Sequence, residues 1–224
     1  MNRLFLVRHG GSTGNAQPIF YNYNDSALCL TTDGVQQALA TGEMLANVGG
    51  PLWMKPGNFD LEVYASEYFR ARQTARICLD QMGLLSVEPT IRPVLNERNY
   101  GTTFQPIMDQ EADYSGNDSE SSVRARVRIR AFIREVEPLL ERADVLAFSH
   151  VGLLRALIAN LRGQTDAEMM TLTDIPNGFA FLFHRVVGPN EVVTWEEETL
   201  PPHLVPKASP TIGRPTAGLP MNLK

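Results

Sequence analysis

Short apolar runs alternate along this chain with stretches whose apolar residues recur at helical spacing, and that alternation confines it to an α/β sheet. Leu4–Val7 reads as a buried strand running into a tight loop at Arg8-His9-Gly10-Gly11. Thr32 or Asp33 then caps a helix through Val48, with Val35, Ala38, Leu39, Gly42 and Leu45 on one stripe. Leu61–Ala65 is the next strand, and a helix follows from Phe69 to Met82. Between Ser121 and Arg142, valines alternate with arginines as in a strand, but Ile129, Phe132, Ile133, Val136, Leu139 and Leu140 share one helical stripe, and length decides for a helix. Val145–Ser149 is a strand and Gly152–Leu161 a helix. Phe179–Val187 and Glu191–Trp195 flank Gly188-Pro189-Asn190 as a hairpin at a sheet edge. The order predicts a three-layer α/β fold: a mostly parallel sheet, helices on both faces, and a late antiparallel edge hairpin.

The expected domain is residues 1–199. Residues 200–224, with Pro201, Pro202, Pro206, Pro210, Pro215 and Pro220 and few large apolar side chains, read as a Pro-rich arm or tail. Residues 102–119 are polar and read as a loop or lid. Lys and Arg total 20 against 25 Asp and Glu, a net charge of −5, which argues against nucleic acid and membrane surfaces as partners. His150 and Arg155 interrupt the most apolar long stretch, Val145–Leu161, which is too short to span a bilayer. The N-terminal apolar run is too short for a signal peptide, and Cys29 and Cys78 read as free thiols, so the expected location is cytoplasmic. The arginines at 124, 126, 128, 130 and 134 read as a solvated helix face diluted by glutamates.

Chemistry concentrates at two strand ends. Arg8-His9-Gly10 follows the first strand, and Ser149-His150-Val151-Gly152 a later one. Open α/β sheets bind ligands at such ends, so His9 and His150 can meet in one crevice. Gly10 and Gly11 can bring backbone N–H groups against an anion, and Gly152 opens a helix whose amides can do the same.

Segments in order carry a family resemblance. Leu6-Val-Arg-His-Gly-Gly-Ser-Thr-Gly-Asn15 resembles the Arg-His-Gly motif of the histidine phosphatase superfamily, in its phosphoglycerate-mutase-like branch. Leu30-Thr-Thr-Asp-Gly-Val-Gln-Gln-Ala38, Ala65-Ser-Glu-Tyr-Phe-Arg-Ala-Arg-Gln-Thr-Ala75, Leu95-Asn-Glu-Arg-Asn-Tyr-Gly101 and Phe148-Ser-His-Val-Gly-Leu-Leu-Arg-Ala156 are similar to later motifs of that family, and Asn177-Gly178 also fits. The resemblance spans roughly residues 3–196. It implies His9 as a nucleophile that becomes phosphohistidine and Glu97 as general acid. Arg8, Arg70, Asn15, His150, the Val151 amide, Gly10 and Gly11 are then the phosphate ligands. Forked guanidinium groups suit phosphate, so neither metal nor cofactor is expected. Gly11 stands where relatives often have Glu, and Val151 where they commonly have Gly, which bears on substrate shape.

The implied function is a metal-independent phosphatase acting on a small phosphomonoester. Phosphoglycerate mutase is the alternative within the family. Mutases carry a long basic insertion after the Glu97 segment, whereas residues 102–119 here include Asp109, Glu111, Asp113 and Asp118. A catalytically weak binding or scaffold protein of the same fold is the other alternative. The expected partner is a small phosphorylated substrate, with a second copy of the chain, in a homodimer, as the candidate protein partner.

Overall fold

A computed structural model describes residues 3–15, 25–50, 53, 60–99, 119–172 and 175–200. The chain runs β1 (Arg3–Arg8), α1 (Thr32–Gly49), β2 (Leu61–Ala65), α2 (Phe69–Gln81), β3 (Thr90–Ile91), α3 (Ser122–Val136), β4 (Asp144–Ser149), α4 (Val151–Leu161), α5 (Asp166–Met170), β5 (Ala180–Val187) and β6 (Val193–Glu198). One sheet has the order β3-β2-β4-β1-β5-β6. β3, β2, β4 and β1 pair in parallel, while β5 pairs antiparallel with β1 and β6 antiparallel with β5. This is the expected mostly parallel sheet with an antiparallel edge pair.

Successive side chains of a strand point to opposite faces, and both faces are covered here, so the two central strands, β4 and β1, are apolar between their polar ends. Leu4, Leu6, Val145 and Ala147 pack with Ile129 and Phe132 of α3 and Leu153 and Leu157 of α4. Phe5, Val7, Leu146 and Phe148 face the other way, against Ala38 and Leu45 of α1 and Cys78 and Leu79 of α2. Cys78 and Cys29 are free thiols, and burial raises that of Cys78.

Local chemistry adjusts several expected boundaries. The α1 cap is Thr31, not Thr32 or Asp33: its side-chain oxygen accepts from the Gly34 N–H at 3.1 Å. Val123 and Val127 are 45% and 61% exposed, as α3 requires and a strand buried on one face does not. Pro138 then stops the α-helix, and residues Glu137–Glu141 tighten into a 3-10 turn. Asn190 and Glu191 take positive φ, so β6 begins at Val193 and runs on to Glu198.

The arginine run is not a uniformly solvated face. Arg126 is buried, binding Asn160, Asp166 and the Gln164 carbonyl, and Arg128 grips both oxygens of Glu120 at 2.7 and 2.6 Å. Nearly all of the expected lid, residues 102–118, and the tail from 201 onward lie outside the described residues. Leu200 itself is buried in the α1–α2 side of the core. Among the described residues no helix is long and apolar enough to cross a membrane.

Candidate active site

Parallel pairing aligns the carboxyl ends of β2, β4 and β1, with Arg8 opposite Ser149 and Ala65 opposite Phe148. The loops leaving these strands therefore share one rim, which carries His9, His150 and, in the first turn of α2, Arg70. The His9 and His150 rings lie 5.0 Å apart between centroids.

His9 is 2% exposed. Its Nδ1 lies 2.6 Å from the Gly10 carbonyl, an acceptor only, so Nδ1 carries the proton and donates it. Nε2 keeps its lone pair and accepts from Arg70 Nε at 3.2 Å. The backbone is fixed as well: the His9 N–H donates to the Ser149 carbonyl, and its own carbonyl accepts from the Gly178 N–H and Asn177 Nδ2. Burial first, then the charges of Arg70 and Arg8, hold the imidazole well below its ordinary pKa, against an opposing contribution from the Gly10 carbonyl. The ring is thus a neutral base with Nε2 aimed at a guanidinium.

His150 caps α4 and is fully buried. Ser66 Oγ donates to Asn96 Oδ1 at 2.9 Å, so it accepts from His150, whose Nε2 carries a proton at 2.8 Å. His150 Nδ1 has no hydrogen-bond partner among the described residues. Burial, then Arg70, His9, Arg8 and Arg128, push this ring's pKa down too. Neutral His150 therefore presents a lone pair, not a donor, at Nδ1.

Arg70 is fully buried across the Tyr68 ring, 5.1 Å from its centroid, and Tyr68 in turn packs on His150. Arg8 is 6% exposed and donates to the Ile175 carbonyl. Asn15 uses its side-chain oxygen within the loop, accepting from the Ser12 N–H and Oγ at 2.9 and 2.8 Å, which leaves its NH2 as the donor end.

Glu97 is 6% exposed, buried at the rim rather than on the open surface. Arg92 pairs with Glu135. Glu97 Oε1 accepts from the backbone N–H groups of Arg98 and Leu153 at 2.8 and 3.2 Å, and Oε2 from that of Gly152 at 3.3 Å. The carboxylate thus caps α4 beside His150, and Oε2, with one long bond, has room for a proton. A cleft of about 410 Å³ lined by Tyr68, Glu97, Asn99, Arg124 and Arg128 opens next to it.

The Gly10 and Gly11 amides do not form an anion nest: they donate to Thr74 Oγ1 at 3.1 Å and Gln37 Oε1 at 2.8 Å. The α4 amides of Gly152 and Leu153 serve Glu97, and the Val151 N–H is not used by these bonds. What Gly10 supplies is closeness, since a Cβ there would lie 2.3 Å from the Gly34 carbonyl oxygen.

Sequence reasoning passed over Ser66, Tyr68, Thr74, Gln37 and Asn96 as site residues, although each stands inside a quoted segment. It also passed over Asp25, for which the sequence carries no signal.

Fold and site together define an α/β enzyme built around a buried, neutral histidine among arginines. The model of the histidine phosphatase superfamily (branch 1) matches residues 4–196, and the chain belongs to that superfamily. It is 32% identical over 219 residues to a 2,3-bisphosphoglycerate-dependent phosphoglycerate mutase of Azorhizobium caulinodans, covering 89% of this chain and 100% of the mutase. It is 28% identical over 211 residues to the enzyme of that name from Bartonella henselae, covering 85% and 98%. Among solved structures, a mycobacterial glucosyl-3-phosphoglycerate phosphatase in complex with VO3 aligns with a TM-score of 0.67 at 22% identity, over 88% of this chain and 98% of its own. A phosphoserine phosphatase of Entamoeba histolytica aligns at 0.64 and 19%, over 87% and 95%. At these identities the solved structures establish the shared fold. The absence of a long insertion after Gly101 does not separate phosphatase from mutase, because this chain spans nearly the whole length of both mutases.

Proposed function

We propose that this chain is a metal-independent phosphatase that hydrolyses a small phosphomonoester through a phosphohistidine at His9. The observation that carries the reading is the orientation of His9: Nδ1 is bound to the Gly10 carbonyl, and Nε2 faces Arg70 in a buried, cationic pocket. A neutral imidazole with a fixed tautomer is a competent nucleophile toward phosphorus. Arg70 and Arg8 neutralise the charge spread over the phosphoryl oxygens, and His150 joins them as a donor once a proton is taken up at its Nδ1 alongside the bound dianion.

In the first half-reaction the Nε2 lone pair attacks phosphorus, and the P–O bond to the alcohol breaks as the N–P bond forms. Glu97, bringing a proton on Oε2, gives it to the departing oxygen. In the second half, water attacks phosphorus and loses a proton to Glu97. The N–P bond breaks, and inorganic phosphate leaves with Nε2 restored.

Mutase chemistry is the second reading, favoured by the names of the sequence relatives at 28–32% identity. The acidic residues between 109 and 118 favour hydrolysis, because they make a poor clamp for phosphoglycerate. Inorganic phosphate release from a panel of phosphomonoesters, with a chelator present, tests the proposal. Isomerisation of 3-phosphoglycerate with a bisphosphoglycerate primer is measured beside it. Chelator-resistant release that outpaces isomerisation is the expected result. Isomerisation faster than hydrolysis by tenfold or more supports the mutase reading, and no release from any ester overturns phosphatase chemistry.

A further inference from the structure

Arg70 has another neighbour that the mechanism above does not use. Asp25 opens a short 3-10 turn, Asp25–Ala27, whose place in the sequence suggests nothing catalytic. Its backbone carbonyl accepts from Arg70 Nη1 at 2.6 Å, and its carboxylate Oδ1 lies 2.7 Å from the same nitrogen. The Oδ1 contact is an ion pair without the direction of a hydrogen bond. On the far side of the guanidinium, Nε donates to His9 Nε2. Asp25 therefore clamps one end of a planar group whose other end touches the nucleophile.

Building on the function proposed above, we infer that Asp25 is a positioning residue: it fixes the Arg70 guanidinium so that its Nε edge faces His9 Nε2 and the incoming phosphoryl group. A guanidinium recognises an oxyanion through the geometry of its fork, and misplacement near 1 Å can cost about 10²-fold in rate. The α2 backbone does not set this orientation by itself, because the arginine side chain has several rotatable bonds between Cα and the fork. Tyr68 supports one face of the group, and Asp25 fixes its rotation in the plane.

The clamp is itself negative, and this gives it a signature. Burial lifts the Asp25 carboxyl from 3.8 to about 6; Arg70 opposes the rise and nearby Glu97 adds to it. Burial first, then the Asp25 charge, raises the pKa of the Tyr68 phenol. Above pH 6 the ionised carboxylate repels a phosphoryl dianion held by the same arginine. Below that pH the neutral acid removes the repulsion, while the backbone carbonyl still holds Arg70 Nη1 and the side-chain oxygen stays beside it.

Full-length wild type, Asp25→Ala and Asp25→Asn are compared by turnover and by vanadate inhibition between pH 5 and 8. Asp25→Ala is expected to lose roughly 10–10² in kcat. Asp25→Asn, which keeps the carbonyl contacts without the charge, should recover most of that loss. Vanadate affinity of wild type, relative to Asp25→Asn, should fall as pH rises through 6, by up to about tenfold per pH unit. A merely structural role would impair both variants alike and leave the affinity ratio flat with pH; either result overturns the inference. Should wild type turn over no ester yet bind vanadate with this Asp25-dependent profile, the inference stands and the proposed function falls. If wild type binds no vanadate at all, both fall.

Discussion

Gly34 is the third residue of α1, where helix propensity and packing make opposite predictions about Gly34→Ala. Alanine is the better helix former by about 1 kcal/mol, so propensity alone predicts stabilisation. A Cβ at Gly34, however, would lie 1.9 Å from the Gly11 carbonyl oxygen, 2.8 Å from its carbon and 2.9 Å from its nitrogen. Real Cβ contacts essentially never fall below 3.0 Å, so α1 and the loop after His9 must separate by 3.0 − 1.9, or 1.1 Å, along that contact. The obstacle is backbone, which cannot swing aside as a side chain can. Overpacking of this kind costs about 1–3 kcal/mol and outweighs the propensity gain. The net loss should be up to about 2 kcal/mol, lowering the melting temperature by up to roughly 8 °C for a chain of this size. The loop that yields carries His9, and moving a nucleophile by about 1 Å costs on the order of 10² in turnover. Urea denaturation and steady-state hydrolysis of p-nitrophenyl phosphate measure the two effects. A more stable Gly34→Ala enzyme with unchanged turnover would show that this contact does not position the loop.

Glu97→Gln replaces one acceptor oxygen with an NH2 facing backbone N–H donors, so it should cost about 1–3 kcal/mol of stability. It should also lower turnover of an alkyl phosphate by roughly 10²–10⁴ while reducing the first-turnover burst of nitrophenolate from p-nitrophenyl phosphate far less; equal, small effects on both would remove the general-acid role. Arg126→Ala strips bonds to Asn160, Asp166 and the Gln164 carbonyl, far from the strand ends, and should lower stability by about 2–3 kcal/mol, read from urea midpoints, with kcat and KM retained. A loss of kcat at unchanged stability would move Arg126 into the site.

The fold was legible where period and length agreed. Leu61–Ala65 is a strand with the bounds its pattern gave, and the helical stripe through Ile129, Phe132 and Val136 overrode the valine–arginine alternation before it. β3 was not legible, because Thr90–Ile91 is two exposed residues whose only strand character is pairing with Tyr64 and Ala65. Glu196, Glu197 and Glu198 were read as lying past the hairpin, since nothing local marks three glutamates as strand; they pair across to His184, Phe183 and Leu182. At the site, His9, His150 and Arg70 could be named because strand ends converge by topology, and motif spacing supplied Glu97. What spacing cannot give is which hydrogen bonds a group has already made. The Gly10 and Gly11 amides were read as ligand donors, yet Thr74 and Gln37 hold them. Asp25 meets Arg70 across 45 residues of chain, through a contact no local pattern encodes.

The central claim is that His9 Nε2 takes the phosphoryl group. The direct measurement is to mix enzyme with substrate, quench without acid within the first turnovers, and locate the phosphate by mass spectrometry, assigning the ring nitrogen by phosphorus NMR. The account predicts phosphate on His9, bonded at Nε2 because Nδ1 is held by the Gly10 carbonyl, and no label and no turnover in His9→Ala. Phosphate on another side chain, attachment at Nδ1, or full turnover in His9→Ala would contradict it.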